Sequence, residues 1–160
     1  MESVMDELQQ LGLDEEAEQY LTFVLDGQDY GVSILSVQEI LGWEAATPIP
    51  NAPAFMQGVI NLRGTIVPVI DMRMRFNLPP VQYGPLTVLL VLTVKKGDRS
   101  RTIGVIVDAV SDVYNVNQEA VQDAPRINRA ISAEFLRGLI NIDGRMVMLL
   151  DTDKLAELDA

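Results

Sequence analysis

Apolar residues along this chain fall in short runs broken by glycine, proline, asparagine and aspartate, the spacing of a mainly β protein. Residues 20–25 are β-branched and aromatic, and Asp26-Gly27 turns them back through 28–32, which predicts a hairpin. Ile34, Val37 and Leu41 recur at i, i+3 and i+7 with Gly42 as a stop, so the spacing predicts a short helix over 34–41 with Glu39 off its apolar stripe. Pro48, Pro50 and Pro53 keep 47–53 extended, and 54–57 reads as one helical turn. The runs 59–62 and 66–70 are almost continuously apolar, which predicts strands buried on both faces. Pro68 has no amide hydrogen to give, so its nitrogen must face an edge or a bulge. Residues 72–75 alternate with period two, methionines in and arginines out. Asn77 to Pro85 carries three prolines and a glycine and reads as a connection. A second apolar strand follows over 86–94, then a turn across 95–101 and a return over 102–108. Ser132 is placed to cap one helical turn before Phe135, and Thr152 to cap a terminal helix through Leu158. Before Tyr20 only Val4, Leu8 and Leu11 form a stripe, thin enough to suit either a short helix or a tail.

The pattern occurs twice. Residues 55–71, FMQGVINLRGTIVPVID, return as 135–151, FLRGLINIDGRMVMLLD, identical at seven of seventeen positions, among them Phe55/Phe135, Gly58/Gly138, Asn61/Asn141 and Gly64/Gly144. Asp143-Gly144 between apolar runs is the strongest short hairpin signal, so both copies read as β-hairpins. A shorter match, at a shift of 73, aligns Tyr30-Gly31-Val32 with Ile103-Gly104-Val105 and Val37 with Val110. The period is too long for a solenoid, and duplication of a small β unit accounts for it.

Composition narrows the function. The 160 residues suffice for one domain or two small ones sharing a core, and 48% are hydrophobic, which excludes disorder. A net charge of -11 argues against nucleic acid and anionic membrane as partners. No run is long enough for a spanning helix, the N-terminus is acidic where a signal peptide is basic, and cysteine is absent, so a cytoplasmic protein without membrane insertion is expected. Without histidine or cysteine the commonest general base, zinc ligands and thiol nucleophile are missing, and no phosphate loop or nucleophile elbow appears. Asp71, Asp108, Asp112 and Asp151 are not paired by their spacing. No catalytic residue, metal or cofactor is expected, and any signalling role is indirect, since the chain has no phospho-acceptor histidine.

Arg63 is the unusual residue. It stands where the second copy has Asp143, at a tight turn that favours Asp or Asn and gives a long basic side chain no local benefit. Its placement suggests a contact, with a solvated turn residue as the alternative. Glu39, of opposite charge and in the same half, is its candidate partner. The Lys95, Lys96, Arg99, Arg101 cluster reads as a solvated hairpin loop, and Trp43 as packing over the end of the predicted helix.

The run Tyr30-Gly31-Val32, Ile34, Val37-Gln38-Glu39-Ile40, Pro53-Ala54-Phe55, 58–64 (GVINLRG) and 67–71 (VPVID) closely resembles the chemotaxis coupling protein family, CheW, as do 104–113 and 135–139. The resemblance covers 20–158 and leaves 1–19 as an acidic N-terminal tail. It implies two intertwined SH3-like five-stranded β-barrels with short helices and a C-terminal helix, in subdomains near 20–78 and 86–151 with strand exchange between them. It also implies a scaffold joining chemoreceptor cytoplasmic tips to the regulatory domain of the histidine kinase CheA. Ile34, Glu39, Arg63, Val88 and Val113 match the receptor-facing groove, and Val37 and Gly58 match positions tied to kinase binding. The longer basic turn at 95–101 and the tight second hairpin depart from the family pattern. A free-standing ligand-binding β-barrel is the alternative reading, and a hydrolase would need an acid/base pair that the sequence lacks.

Overall fold

Three two-residue turns with both residues at positive φ set the pairing of the strands. Asp26-Gly27 (51° and 78°), Arg63-Gly64 (49° and 88°) and Asp143-Gly144 (52° and 83°) have the type I′ shape that matches the twist of an antiparallel pair. The computed structural model describes residues 17–123 and 135–157. The readings at Val4, Leu8, Leu11, Ser132 and Leu158 lie outside them.

The described strands are β1 (Ala17–Leu25), β2 (Gln28–Ser33), β3 (Val37–Gly42), β4 (Met56–Leu62), β5 (Thr65–Asp71), β6 (Val88–Lys96), β7 (Arg99–Val107), β8 (Ala109–Asn117), β9 (Leu136–Ile142) and β10 (Arg145–Leu150). One-turn helices α1 (Met72–Arg75) and α2 (Thr152–Leu155) follow β5 and β10, and 3₁₀ turns follow β2 and β8. The duplication holds strand by strand. Met56↔Ile70, Gly58↔Val69 and Leu62↔Thr65 in the first hairpin match Leu136↔Leu150, Gly138↔Leu149 and Ile142↔Arg145 in the second, bulge included.

The protein is mainly β, two five-stranded sheets ordered β8-β1-β2-β10-β9 and β3-β6-β7-β5-β4. Each sheet takes the first two strands of one repeat and the last three of the other. The repeats join in each sheet through one antiparallel pair, β1 with β8 and β3 with β6, and one parallel pair, β10 with β2 through Leu149↔Gly31 and β5 with β7 through Val69↔Gly104. Each sheet also curls until its ends meet, because Thr47, just past β3, bridges Val59 of β4, and Gln122, past β8, bridges Leu139 of β9. The main core lies between the sheets, where Phe23 and Tyr30 of one meet Leu90, Leu92 and Val105 of the other. Smaller clusters fill each sheet's own concavity, around Tyr20, Val147 and Leu149 in one and Val69, Leu89 and Ile106 in the other.

Several local expectations change. The helix expected over 34–41 is a 3₁₀ turn, Ile34–Ser36, followed by β3. The Ser33 hydroxyl accepts the Leu35 amide and starts the turn, but Val37, Glu39 and Leu41 then alternate inward while Ile40 and Leu41 pair with Leu90 and Leu89 of β6. Cross-strand pairing overrides the helical spacing. Residues 54–57 form no helix: Met56 donates to the Pro53 carbonyl at 2.9 Å, closing a single turn over 53–56, and already begins β4. Residues 72–75 are helical because the Asp71 carboxylate caps the Met74 amide, and Arg73 is buried instead of pointing out. The half-buried guanidinium of Arg75 lies between the two repeat-related rings, 4.5 Å from the Phe55 centroid and 4.6 Å from that of Phe135. The turn at 95–101 shrinks to Gly97-Asp98, with both strands running up to it. Arg101 is tethered, donating to the Ala156 carbonyl at 2.6 Å. β1 starts at Ala17, so 17–19 pair with β8 and do not belong to the tail. Asp151, not Thr152, caps the last helix. Burial on both faces fails at Ile66, 61% exposed, because β7 pairs with β5 only from Val69 onward. Pro68 meets its constraint there: Val59 spends its backbone groups on Thr47, so the Val59/Pro68 pair needs no proline donor.

Trp43 packs on Tyr83 of the connection, with ring centroids 4.6 Å apart, and not over a helix end. The Tyr83 hydroxyl donates to Asp71 Oδ2 at 2.5 Å, and burial together with that carboxylate pushes its pKa up, so the phenol stays neutral. Tyr83→Phe is expected to cost about 1–3 kcal/mol in a urea melt, because Oδ2 of the buried Asp71 carboxylate loses its donor while Oδ1 keeps the Met74 amide. A midpoint equal to the parent's would show that the connection is not tied down through this bond.

Candidate functional site

Arg63 and Glu39 meet. Arg63 projects from the β4–β5 turn with a side chain 69% exposed, and its Nη2 donates to Glu39 Oε1 at 2.5 Å. Glu39 comes from β3, which stands at the opposite end of the sheet order from β4, so the ion pair spans the same seam as the Thr47–Val59 bridge. Glu39 is 22% exposed, and its Oε2 is buried without a hydrogen-bond partner. A pair whose arginine is this exposed to solvent contributes only about 0–1 kcal/mol, too little to explain a strained arginine. A groove of about 380 Å³ opens in this seam, floored by Leu41, Ile60, Leu62 and Leu89 and walled by Trp43 and Glu44.

The other sequence-derived positions separate into groups. Ile34, Val37 and Val88 are half-buried on the rim of the central core, with Val37 opposite Leu92 and Val88 opposite Gly42. Val113 is exposed but lies on β8, opposite Leu21 in the other sheet. Gly58 is not in a tight turn. It is buried at the β4 bulge with φ 140°, against the Thr47 backbone.

Sequence reasoning passed over two residues. Leu35, on the 3₁₀ turn, is 88% exposed beside a groove of about 600 Å³ that includes Val37, Val94 and Lys95. An apolar residue off the assumed helical stripe was the available signal. Asn61, identical in both repeats, accepts the Gly64 amide on its side-chain oxygen at 2.8 Å, and Asn141 accepts that of Gly144 at 3.0 Å.

The carboxylates do local work and do not converge. Asp71 and Asp151 cap helices, Asp108 holds Arg73, and Asp112 accepts the Val113 amide. Among the described residues no group of three acidic side chains is placed to hold a metal ion. No described helix is long and apolar enough to cross a membrane.

The CheW-like domain matches residues 19–160. A chemotaxis protein CheW of Klebsiella aerogenes is 41% identical over 138 residues, 86% of this chain and 81% of the relative. A probable chemotaxis protein CheW of Rhizobium etli is 38% identical over 135 residues, 84% of each chain. The crystal structure of the scaffolding protein TtCheW from Thermoanaerobacter tengcongensis superposes with a TM-score of 0.76 at 28% identity, covering 86% of both chains. The exchanged five-stranded sheets, the repeated hairpin and these matches agree, and the chain belongs to the CheW-like domain family.

Proposed function

We propose that this chain is a non-catalytic cytoplasmic adaptor that couples the cytoplasmic tips of methyl-accepting chemoreceptors to the histidine kinase CheA through the kinase's regulatory domain. The observation that carries the reading is Arg63: an exposed guanidinium on a left-handed turn, anchored at one nitrogen by Glu39, at a place where arginine has no local advantage. Its remaining donors face solvent beside the apolar seam groove, a combination suited to a protein surface bearing acid and aliphatic groups. In this reading Ile34, Glu39, Arg63, Val88 and Val113 face the receptor, Val37 serves the kinase side by contact, and the buried Gly58 serves it by holding the seam backbone. The relatives named for chemotaxis and scaffolding support the same role.

Arg63→Ala is expected to change stability by less than about 1 kcal/mol, the limit for an exposed pair, while receptor-dependent activation of CheA falls. Arg63→Glu should be worse than alanine, since a like charge then faces both Glu39 and the partner's acid. Thermal melting beside binding of a receptor fragment and CheA autophosphorylation checks both. An Arg63→Ala chain that melts like the parent and couples at full strength would reduce Arg63 to a solvated turn residue.

A further inference from the structure

We infer that Asn61 positions Arg63 for its partner, an inference that rests on the receptor-facing reading of Arg63. Arg63 has φ 49°, where an L side chain crowds its own carbonyl and an isolated turn would relax. Leu62 and Thr65 close the ladder around the turn, which leaves the Gly64 amide at the tip outside the strand pairing. The Asn61 side-chain oxygen takes that amide at 2.8 Å, tying the tip to β4 three residues back. This bond fixes the backbone that carries the Arg63 side chain, and so the direction from which its guanidinium reaches Glu39 and the solvent.

Asn61 is exposed and belongs to none of the apolar clusters, so packing does not explain it. The second hairpin repeats the device with opposite charge: Asn141 takes the Gly144 amide at 3.0 Å, and Asp143 sits at φ 52°. The two asparagines therefore have the same local task, and only one of them orients an arginine. The second hairpin is an internal control for the first.

The test compares Asn61→Ala, Asn61→Asp, Asn141→Ala and Arg63→Ala in the full chain. It reads amide exchange at Gly64 and Gly144, thermal stability, and affinity for a receptor cytoplasmic-tip fragment. Asn61→Ala should speed Gly64 exchange and weaken fragment binding about 3- to 10-fold, because one lost hydrogen bond lowers the population of the competent turn and apparent affinity scales with that population. Asn61→Asp keeps an acceptor oxygen and should restore slow Gly64 exchange. Asn141→Ala should speed Gly144 exchange and lower stability comparably while leaving fragment binding at the parent value. If Arg63→Ala binds the fragment normally, the receptor-facing reading itself falls, and the role of Asn61 with it. If Arg63→Ala loses binding while Asn61→Ala keeps it, the reading stands and the inference is overturned. Equal losses for Asn61→Ala and Asn141→Ala would likewise overturn it, because the effect would then be one of stability alone.

Discussion

Alanine at position 58 is expected to destabilise the protein by about 3 kcal/mol or more, through the seam of the second sheet and not through a lost partner contact. Gly58 has φ 140°, in territory that side chains rarely enter, and a Cβ there would stand 2.1 Å from the Thr47 carbonyl oxygen and 2.6 Å from its carbon. Those atoms are backbone and cannot swing away. Thr47 exchanges two 2.9 Å hydrogen bonds with Val59, so moving it opens the bridge that brings the sheet ends together. At the equivalent Gly138 the nearest obstacle is the Val121 side chain at 2.5 Å, with the Gln122 carbonyl at 2.8 Å, so part of the clash there can be relieved by a rotamer change. Gly58→Ala should therefore cost more than Gly138→Ala. Gly64→Ala meets no atom within 4 Å and should cost only the conformational strain of φ 88°, about 1 kcal/mol. Urea midpoints of the three variants give the order. If Gly58→Ala unfolds at the parent's midpoint and loses only kinase binding, Gly58 is a contact residue and the seam account fails.

The same glycine shows what the sequence could and could not convey. Its recurrence at Gly138 marked a shared backbone need, but the need arises from a crossing segment eleven residues away, which no local pattern contains. The hairpins were legible because Asp-Gly turns act locally, and Arg63-Gly64 became legible through the copy that keeps Asp143. The stretch over 34–41 misled because Val37 and Leu41 satisfy a helical and an alternating pattern together. Pairing with β6, some fifty residues on, decides between them. Residues 72–75 misled in the reverse direction, an apparent alternation converted to a turn of helix by the Asp71 cap. At the candidate site, Arg63 and Glu39 were found by the misfit of a charge to its position, and the structure joins them. Leu35 and Asn61 were missed because one looked like a helix residue and the other like an ordinary strand polar.

Arg73→Ala and Asp108→Asn are each expected to lower stability by about 3 kcal/mol at pH 7, with the Asp108→Asn penalty disappearing in acid. Arg73 follows β5 in one sheet, and its side chain is 11% exposed. Nε reaches Asp108 Oδ1 at 2.8 Å, Nη2 reaches Asp108 Oδ2 at 2.6 Å, and Nη1 gives a third bond to the Pro79 carbonyl at 2.7 Å. Asp108 Oδ2 also accepts the amide of Asp26, in the β1–β2 turn of the other sheet, at 2.9 Å. One ion pair thus joins both sheets and the connection between the repeats. Removing Arg73 leaves the Asp108 carboxylate beside that of Asp26, and removing the Asp108 charge leaves the guanidinium only the half-exposed Asp26 carboxylate, 3.5 Å from Nη1, as a close counter-charge. Either loss costs more than the intact pair contributes over an apolar replacement. Burial by itself would raise the Asp108 pKa, but the Arg73 hydrogen bonds, the Asp26 amide and the Arg73 charge outweigh it and hold the carboxyl below the usual carboxylate range. A depressed folded-state pKa gives stability that is fully present above the unfolded value of about 3.9 and is lost as pH falls through the folded value. Arg73 stays protonated throughout, so the gap between parent and Asp108→Asn should be constant from pH 7 to about 5 and close below about pH 4. Urea midpoints from pH 7 to pH 2 measure it. A gap that persists unchanged at pH 2 would mean that Asp108 acts through shape or neutral hydrogen bonding, and the charge of the pair would then have no part in holding the two sheets together.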